Sequence, residues 1–379
     1  MKKKVPFNKA IYSKNILSGL KKILYGEIIQ TAAGFKYFKK CNLILEKKFK
    51  LKKCYITNSC TAALEATAIA IDIKPGDEVI LPSFTFVSTA NAFVLRGAKL
   101  VYVDINENNL NINEVNIKKK ITKKTKAIIV VHYAGISCDI KKISKLAKKK
   151  NIYLIEDAAQ AYLSRYDNKY LGTFGDVGCF SFHETKNISS CEGGAIFVNN
   201  KKLVKKFSII VNKGTNRENF ERGSVNYYSW KGIGSSYLPH EVTSFILYNQ
   251  LKIAKKITND RKKKWINYLN KLSFLKALAI LPDKKNFKSS NYHMFPIIFK
   301  SREIRDYFLK KMLSLNIQST FHYIPLHTSS FSKKICNKKF NLPVTEKIYE
   351  RLLRLPLWFN INEKIVIDGL KKINNSYRH

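Results

Sequence analysis

The chain has 379 residues, of which 45% are hydrophobic and 25% charged, and its formal net charge is +42. This length predicts one large and one smaller domain, because a single hydrophobic core rarely grows beyond about 250–300 residues. No run approaches about 18 uninterrupted apolar residues, so we expect no membrane span.

The chain has seven cysteines, which is an odd number. Their spacing matches no metal-binding motif and includes no Cys-x-x-Cys pair. Such a pattern is typical of free thiols in a reducing compartment. The basic residues 1–7 are followed by polar residues instead of an apolar core, so we expect no signal peptide. Together these features predict a cytoplasmic protein without a metal site.

The positive charge comes from 69 Lys and Arg against 27 Asp and Glu. Clustered cations favour nucleic acid, because they release counterions from phosphates. Here the lysines are scattered along the whole chain and no nucleic-acid motif accompanies them, so we expect solvated helix faces and no nucleic-acid partner. A basic surface can still steer an anionic substrate. A nucleic-acid-binding or regulatory protein remains the alternative from a different functional class.

In chain order, the first 35 or so residues have the pattern of an arm that ends in a loop at 30–34. Short apolar runs then alternate with helical patterns, and they predict strands at 77–82, 100–104, 127–133, 152–156, 179–182 and 194–198. Ile143, Leu146 and Ala147 have the spacing of an amphipathic crossover helix. A long helix is predicted around 240–270.

This alternation favours an α/β fold with a mainly parallel sheet flanked by helices. We expect residues 1–245 to form an N-terminal arm and a large domain, and residues 246–379 to form a smaller α+β domain.

Two charged residues that follow predicted strands are candidates for catalysis. Asp157 directly follows the run 152–156, and Lys186 lies shortly after 179–182. A buried lysine can lose its proton and attack an aldehyde, while a buried aspartate can keep a pyridine nitrogen protonated. The pair is what a pyridoxal phosphate site requires. Each residue alone would more often be a surface charge or a strand-end cap.

Two further motifs support that pair. Residues 55–59 predict a short strand, followed by an Ala-rich helix at 60–70 whose first turn contains Cys60 and Thr61. The free N–H groups of a helix N-terminus bind phosphate, although a hydroxyl there is often only a cap. Phe86, after the run 77–82, could stack on a flat heteroaromatic ring, although core packing is the commoner fate of Phe.

Seven blocks in the chain resemble the DegT/StrS aminotransferases of nucleotide-sugar metabolism, nearly from end to end. The blocks are residues 59–65, 82–92, 131–135, 156–160, 181–187, 322–327 and 355–357. The resemblance implies the aspartate aminotransferase-like (type I) fold, in which the large domain has a mixed, mainly parallel sheet of about seven strands and binds pyridoxal phosphate.

Four segments resemble one subgroup of that family, which aminates TDP-4-keto-6-deoxy-D-glucose on the way to enterobacterial common antigen. They are residues 91–99, 131–135, 213–217 and 234–238. The resemblance implies L-glutamate as the amino donor, C4 of the keto sugar as the acceptor, and TDP-4-amino-4,6-dideoxy-D-galactose and 2-oxoglutarate as the products. Another nucleotide-linked keto sugar, a 3-keto or a UDP-linked one, remains an alternative.

The resemblance also assigns roles. Lys186 would attach the cofactor covalently and move protons, and Asp157 would pair with the pyridine nitrogen. Other cofactor contacts would come from Gln160 at the phenolic oxygen, Phe86 on the ring, and Cys60, Thr61 and Ser181 at the phosphate. A homodimer with shared active sites is implied, in which Ser236 stands where an Asn commonly reaches the phosphate across the interface.

Five residues are candidates for contacts with the substrate. His183 could donate a proton or have a structural role. His322 and His327 flank residues 323–326 and could line the sugar or diphosphate pocket. Lys213 and Arg217 lie in a loop-like segment and could bind the diphosphate, although a solvated loop is slightly favoured.

One departure from the family pattern follows the lysine. Cys191 stands where the family usually has the first glycine of Gly-Glu-Gly-Gly. If φ is positive there, a cysteine is strained by about 1 kcal/mol. If φ is negative, the change matters little.

Overall fold

The computed structural model describes residues 4–13, 16–26, 36–336 and 338–378. The loop predicted at 30–34 lies outside these residues. The helices are α1 (Ile16–Leu24), α2 (Lys36–Phe49), α3 (Cys60–Ala70), α4 (Ser88–Val94), α5 (Glu114–Lys120), α6 (Ile140–Lys150), α7 (Val204–Val211), α8 (Arg217–Glu221), α9 (Glu241–Lys271), α10 (Lys284–Phe287), α11 (Arg302–Ser314), α12 (Ser330–Cys336), α13 (Pro343–Arg351) and α14 (Glu363–Arg378).

The strands are β1 (Lys53–Thr57), β2 (Glu78–Pro82), β3 (Lys99–Val103), β4 (Thr125–Val131), β5 (Tyr153–Asp157), β6 (Arg165–Tyr166), β7 (Lys169–Tyr170), β8 (Val177–Ser181), β9 (Gly194–Val198), β10 (Ala279–Ile280), β11 (Phe295–Phe299) and β12 (Leu352–Leu355). Every strand predicted between 77 and 198 is present, shifted by at most two residues at either end.

The large domain is built on a seven-stranded sheet with the order β1-β9-β8-β5-β4-β2-β3. The neighbours from β8 to β3 are parallel, whereas β9 is antiparallel to both β8 and β1. All residues of β8 and β9 are buried, because helices cover both faces of the sheet. The predicted α/β fold with a mixed, mainly parallel sheet is confirmed.

The crossover helix α6 shows why these sequences form helices. Asp139 accepts a hydrogen bond from the N–H of Lys142 at the N-terminus, and Asn151 ends the helix in the left-handed conformation. Ile143 and Ala147 are buried, as their spacing predicts, and the lysines occupy the outer face.

The smaller domain has a three-stranded antiparallel sheet, in the order β10-β11-β12, with α11, α13 and α14 around it. Helix α9 connects it to the large domain. In α9 the buried residues up to Ile257 pack with α2 and the large sheet, whereas Trp265 and Tyr268 pack in the core of the smaller domain. The expected division at 245/246 therefore lies near the start of α9, and the change of core occurs further along the same helix.

All seven cysteines are free thiols. Within the described residues, no helix has the length and apolarity needed to cross a membrane. No cluster of three or more metal-ligating side chains occurs in that part of the chain.

Candidate active site

A cavity of about 650 Å³ lies at the carboxyl ends of the parallel strands, between the large sheet and the smaller domain. This edge is where ligands bind in open α/β sheets. The sequence-predicted residues that line it are Cys60, Thr61, Phe86, Asp157, Gln160, Ser181, His183, Lys186 and His322. Residues far apart in the sequence therefore share one site.

Asp157 is the last residue of β5, and its carboxylate is buried. Thr89 donates a hydrogen bond to Oδ2 at 2.7 Å, and the N–H of Ala159 donates to Oδ1 at 3.1 Å. Burial raises the pKa of Asp157, and these two hydrogen bonds oppose the rise. A cation beside the carboxylate would stabilise its ionised form, and the protonated pyridine nitrogen of pyridoxal phosphate is such a cation.

Glu156, one residue earlier, faces the opposite side of the strand and is fully buried. Its carboxylate accepts hydrogen bonds from the N–H groups of Gly172, Phe174 and Gly175 at 2.6–2.7 Å and from His132 Nε2 at 2.9 Å. This network fixes the end of β5, and with it the position of Asp157.

Lys186 lies in the loop between β8 and β9 and lines the cavity. Burial lowers the pKa of its amine, while Cys60 and Asp157 oppose this effect. The neutral amine is the form that attacks an aldehyde. The loop itself is held by Asn187, which donates to the carbonyl of Asn291 at 2.8 Å.

The start of α3, where a phosphate site is expected, lines the cavity with Ser59, Cys60 and Thr61. Ser59 caps the helix by accepting a hydrogen bond from the N–H of Ala62, and the hydroxyls of Thr61 and Ser88 lie 2.8 Å apart. Gly194 lets this helix start approach the sheet, because a Cβ there would lie 2.4 Å from the carbonyl carbon of Ser59. Free N–H groups and hydroxyls thus converge beside Lys186.

Phe86 and Gln160, which the resemblance assigns to the ring and the phenolic oxygen of the cofactor, both line the cavity. Phe86 is 58% exposed at the cavity, whereas Phe84 two residues earlier is in the core. Gln160 is fixed by the N–H of Ala134, which donates to its Oε1, and it donates through Nε2 to the hydroxyl of Tyr323 at 3.0 Å. The donor set fits pyridoxal phosphate: a lysine, a buried carboxylate, a stacking ring and a helix N-terminus.

Four predicted residues do not line this cavity. Ser236 is exposed and lies at the base of a hairpin formed by residues 212–236, to which Lys213 and Arg217 also belong. Arg217 pairs with Glu221 in the same segment. His327 is buried between Ser83 and Glu346 and lines a neighbouring pocket.

The two predicted histidines that line the cavity, His183 and His322, differ in their surroundings. His183 is partly exposed and lies 3.3 Å from Glu192. His322 stacks on Tyr323 at 3.7 Å, and burial lowers the pKa of its imidazole, helped by the charges of Arg354 and Lys186. His322 is therefore neutral in this environment.

Sequence reasoning missed several residues of the cavity. His293 is bonded to the Asn187 side chain and is neutral because burial lowers its pKa. Arg354 comes from β12, and Phe7 comes from the N-terminal segment. Thr89 lies within a family-like block, and that signal could have identified it. Phe7 and Arg354 reach the site only through the fold of the whole chain.

Cys191 adopts φ 69°. The positive φ corresponds to the strained alternative considered for this position. The residue is exposed, and its Sγ lies 3.4 Å from the hydroxyl of Tyr12.

Known proteins with similar sequences are consistent with this chemistry. The chain is 36% identical over 331 residues to the uncharacterized protein MJ1066 of Methanocaldococcus jannaschii, covering 85% of this chain and 86% of the relative. It is 33% identical over 318 residues to dTDP-3-amino-3,6-dideoxy-alpha-D-galactopyranose transaminase of Aneurinibacillus thermoaerophilus, covering 82% and 83%.

Solved structures give the same fold. PseC of Helicobacter pylori, an aminotransferase involved in the biosynthesis of pseudoaminic acid, matches with a TM-score of 0.90 at 24% identity, over 99% of this chain and 100% of that chain. NtdA of Bacillus subtilis, with bound cofactor PMP, matches with a TM-score of 0.85 at 27% identity, over 96% and 82%. Since the family model also matches residues 15–372, the chain belongs to the DegT/DnrJ/EryC1/StrS aminotransferase family and is a pyridoxal-phosphate-dependent sugar aminotransferase.

Proposed function

We propose that the protein transfers the amino group of L-glutamate to C4 of TDP-4-keto-6-deoxy-D-glucose, giving TDP-4-amino-4,6-dideoxy-D-galactose and 2-oxoglutarate. The observation that carries the amination chemistry is the placement of Lys186 and Asp157 in one cavity. The choice of sugar is supported by residues 213–217 and 234–238, which resemble the C4-aminating subgroup. These two segments meet in one hairpin, where Asn212 pairs with Ser236.

The residues of the cavity have distinct tasks. Bound pyridoxal phosphate supplies an electron sink that makes the C–H bond beside the transferred nitrogen acidic. The neutral amine of Lys186 removes the proton from the α carbon of the donor and, in the second half of the reaction, delivers a proton to C4 of the sugar. Asp157 keeps the ring nitrogen protonated, with Thr89 and Ala159 orienting its carboxylate. The face from which Lys186 delivers the proton sets the configuration at C4.

We propose a homodimer in which this hairpin completes the site of the partner subunit. The hairpin exposes Tyr227 and Trp230 by 76% and 81%, and Ser236 is exposed at its base. Large exposed aromatic side chains at one point favour a protein contact. In the dimer, Ser236 would reach the cofactor phosphate, and Lys213 and Arg217 would approach the diphosphate of the substrate.

We propose a cytoplasmic location, because all seven thiols are free and three of them, Cys60, Cys191 and Cys336, are at least partly exposed. Such thiols persist in a reducing compartment.

A second candidate acceptor is a 3-keto sugar linked to TDP. The observation that favours it is the 33% identity to the Aneurinibacillus thermoaerophilus transaminase, whose name specifies a 3-amino sugar.

The test is an assay of the purified holoenzyme with L-glutamate and matched TDP-4-keto, TDP-3-keto and UDP-4-keto sugars, with products assigned by NMR. We expect amination at C4 of the TDP-4-keto sugar with the amine axial. Amination only of the 3-keto or UDP-linked sugar would overturn the proposed acceptor and leave the chemistry of Lys186 intact.

A further inference from the structure

Arg354 is a buried guanidinium at the wall of the active-site cavity. It lies on β12 and is only 8% exposed. One nitrogen, Nη2, donates to the carbonyl of Phe321 at 3.2 Å, and Nε has no hydrogen-bond partner. Within the described part of the chain, no carboxylate forms an ion pair with it. The guanidinium therefore has unused donors beside an open cavity.

Another buried arginine shows what a purely structural role looks like. Arg261 is 3% exposed, and its guanidinium donates to the backbone carbonyls of Tyr292, Leu357 and His293. Its hydrogen-bonding capacity is largely used within the fold. Arg354 is also buried but donates to the Phe321 carbonyl instead of to three such acceptors, and a buried charge without a partner is unfavourable. Arginine stays protonated in proteins, so the missing partner is an anion.

The orientation of Arg354 is fixed from the N-terminal segment. The ring of Phe7 lies 4.6 Å from its guanidinium carbon, a cation–π contact. Phe7 is held in turn, because its N–H donates to Gln318 Oε1 at 3.2 Å and the preceding carbonyl, of Pro6, accepts from Trp358 Nε1. With one face covered, the guanidinium presents its edge, the geometry in which it binds a carboxylate through two parallel hydrogen bonds.

We infer that Arg354, held by Phe7, binds a carboxylate of the amino-acid donor; this rests on the proposed function. Arg354 lines the same cavity as Lys186, and its charge acts on the Lys186 amine. An amino acid carries its α-carboxylate on the carbon that Lys186 deprotonates, so the two residues must be near neighbours. The diphosphate of the sugar substrate is the competing anion. A more open pocket nearby offers it Lys333, Lys338 and Lys339.

The experiment separates the two half-reactions of the holoenzyme. The aldehyde form is titrated with L-glutamate and with L-alanine, and the amine form with TDP-4-keto-6-deoxy-D-glucose, with the visible absorbance of the cofactor as the signal. For Arg354→Met we expect that half-conversion of the cofactor needs about 100-fold more L-glutamate, because one charged hydrogen-bonded pair is lost. Arg354→Lys should be intermediate, and Phe7→Leu should raise the requirement by about threefold to tenfold.

L-Alanine has no side-chain carboxylate, so it shows which carboxylate of the donor Arg354 binds. An equal loss for L-alanine assigns it to the α position, and a loss for L-glutamate alone assigns it to the side chain. Both results support the inference. An unchanged donor half-reaction, or a loss confined to the sugar half-reaction, overturns it. If no amino acid converts even the parent enzyme, the proposed function fails instead.

Two readouts do not depend on turnover. The first is calorimetry with succinate, an unreactive dicarboxylate. Succinate should bind the parent holoenzyme and should bind Arg354→Met at least tenfold more weakly. Equal binding to the two proteins, or no binding to the parent enzyme, contradicts the inference. In thermal unfolding, Arg354→Met should melt at the same or a higher temperature, because an unpaired charge is removed, whereas Arg261→Met should melt lower. If the melting temperature of Arg354→Met fell as much as that of Arg261→Met, Arg354 would have a structural role.

Discussion

Thr89 Oγ1 donates a 2.7 Å hydrogen bond to Asp157 Oδ2, joining the start of α4 to the end of β5. The bond opposes the rise that burial causes in the pKa of Asp157, and it orients the carboxylate. If Asp157 pairs with the ring nitrogen of the cofactor, as we propose, that pairing depends on Thr89 as well.

Replacing Thr89 with Val should weaken cofactor binding by roughly 10-fold, because a hydrogen bond to a buried charged group is worth about 1.5 kcal/mol. The change is measured by titrating the apoenzyme with pyridoxal phosphate. Thr67→Val is the matched control, since Thr67 is equally buried within α3 but bonds to the carbonyl of Ala63. Equal affinity of Thr89→Val and the parent enzyme would contradict the role of this bond.

The rate of covalent cofactor attachment should follow the ionisation of Lys186. Burial lowers the pKa of this amine, so the neutral form accumulates at a lower pH than for an exposed lysine. The rate should rise with pH and level off before the ordinary lysine pKa of about 10.5. Stopped-flow mixing of apoenzyme with pyridoxal phosphate across pH measures it. A rate that still increases above that pH would show that the amine is not perturbed.

Cys191→Gly should stabilise the protein by up to about 1 kcal/mol, because glycine adopts the observed φ of 69° without strain. Urea unfolding of the apoenzyme measures the difference. Cys336→Gly is the control that should destabilise, because Cys336 ends α12. If Cys191→Gly lowers stability, the contact of Cys191 with Tyr12 outweighs the strain.

Glu156→Gln should lower stability by about 3 kcal/mol or more. The new amide would place a donor against N–H groups of residues 172–175, which now face a carboxylate. Chemical denaturation measures the loss. Glu107→Gln, which removes an exposed ion pair with Lys347, should change stability by less than about 0.5 kcal/mol. Similar values for the two variants would show that the buried network contributes little.

Much of the fold follows from local sequence patterns. The apolar runs of the large sheet and the spacing of Ile143 and Ala147 are short-range signals, and the structure confirms them. Lys186 and Asp157 also lie within contiguous blocks, Asp157 at the end of β5 and Lys186 shortly after β8, so their convergence at one edge of the sheet is predictable.

Other parts of the site depend on contacts between distant residues. Arg354 lies in a leucine-rich strand, and nothing beside it in the sequence indicates that it is buried at the cavity. Phe7 reaches it only because residues 4–13 cross to the smaller domain, where Val5 pairs with Ile317. The backbone angle φ of Cys191 likewise could not be predicted, because the sequence was compatible with both a positive and a negative value.

The attachment of the cofactor to Lys186 is the step on which the proposed chemistry depends. Its direct test is borohydride reduction of the holoenzyme, followed by proteolysis and mass spectrometry. We expect to find the reduced cofactor on Lys186, and we expect Lys186→Ala to be folded but neither to retain the label nor to aminate a sugar. Cofactor attached to another lysine, or full turnover by Lys186→Ala, would contradict it.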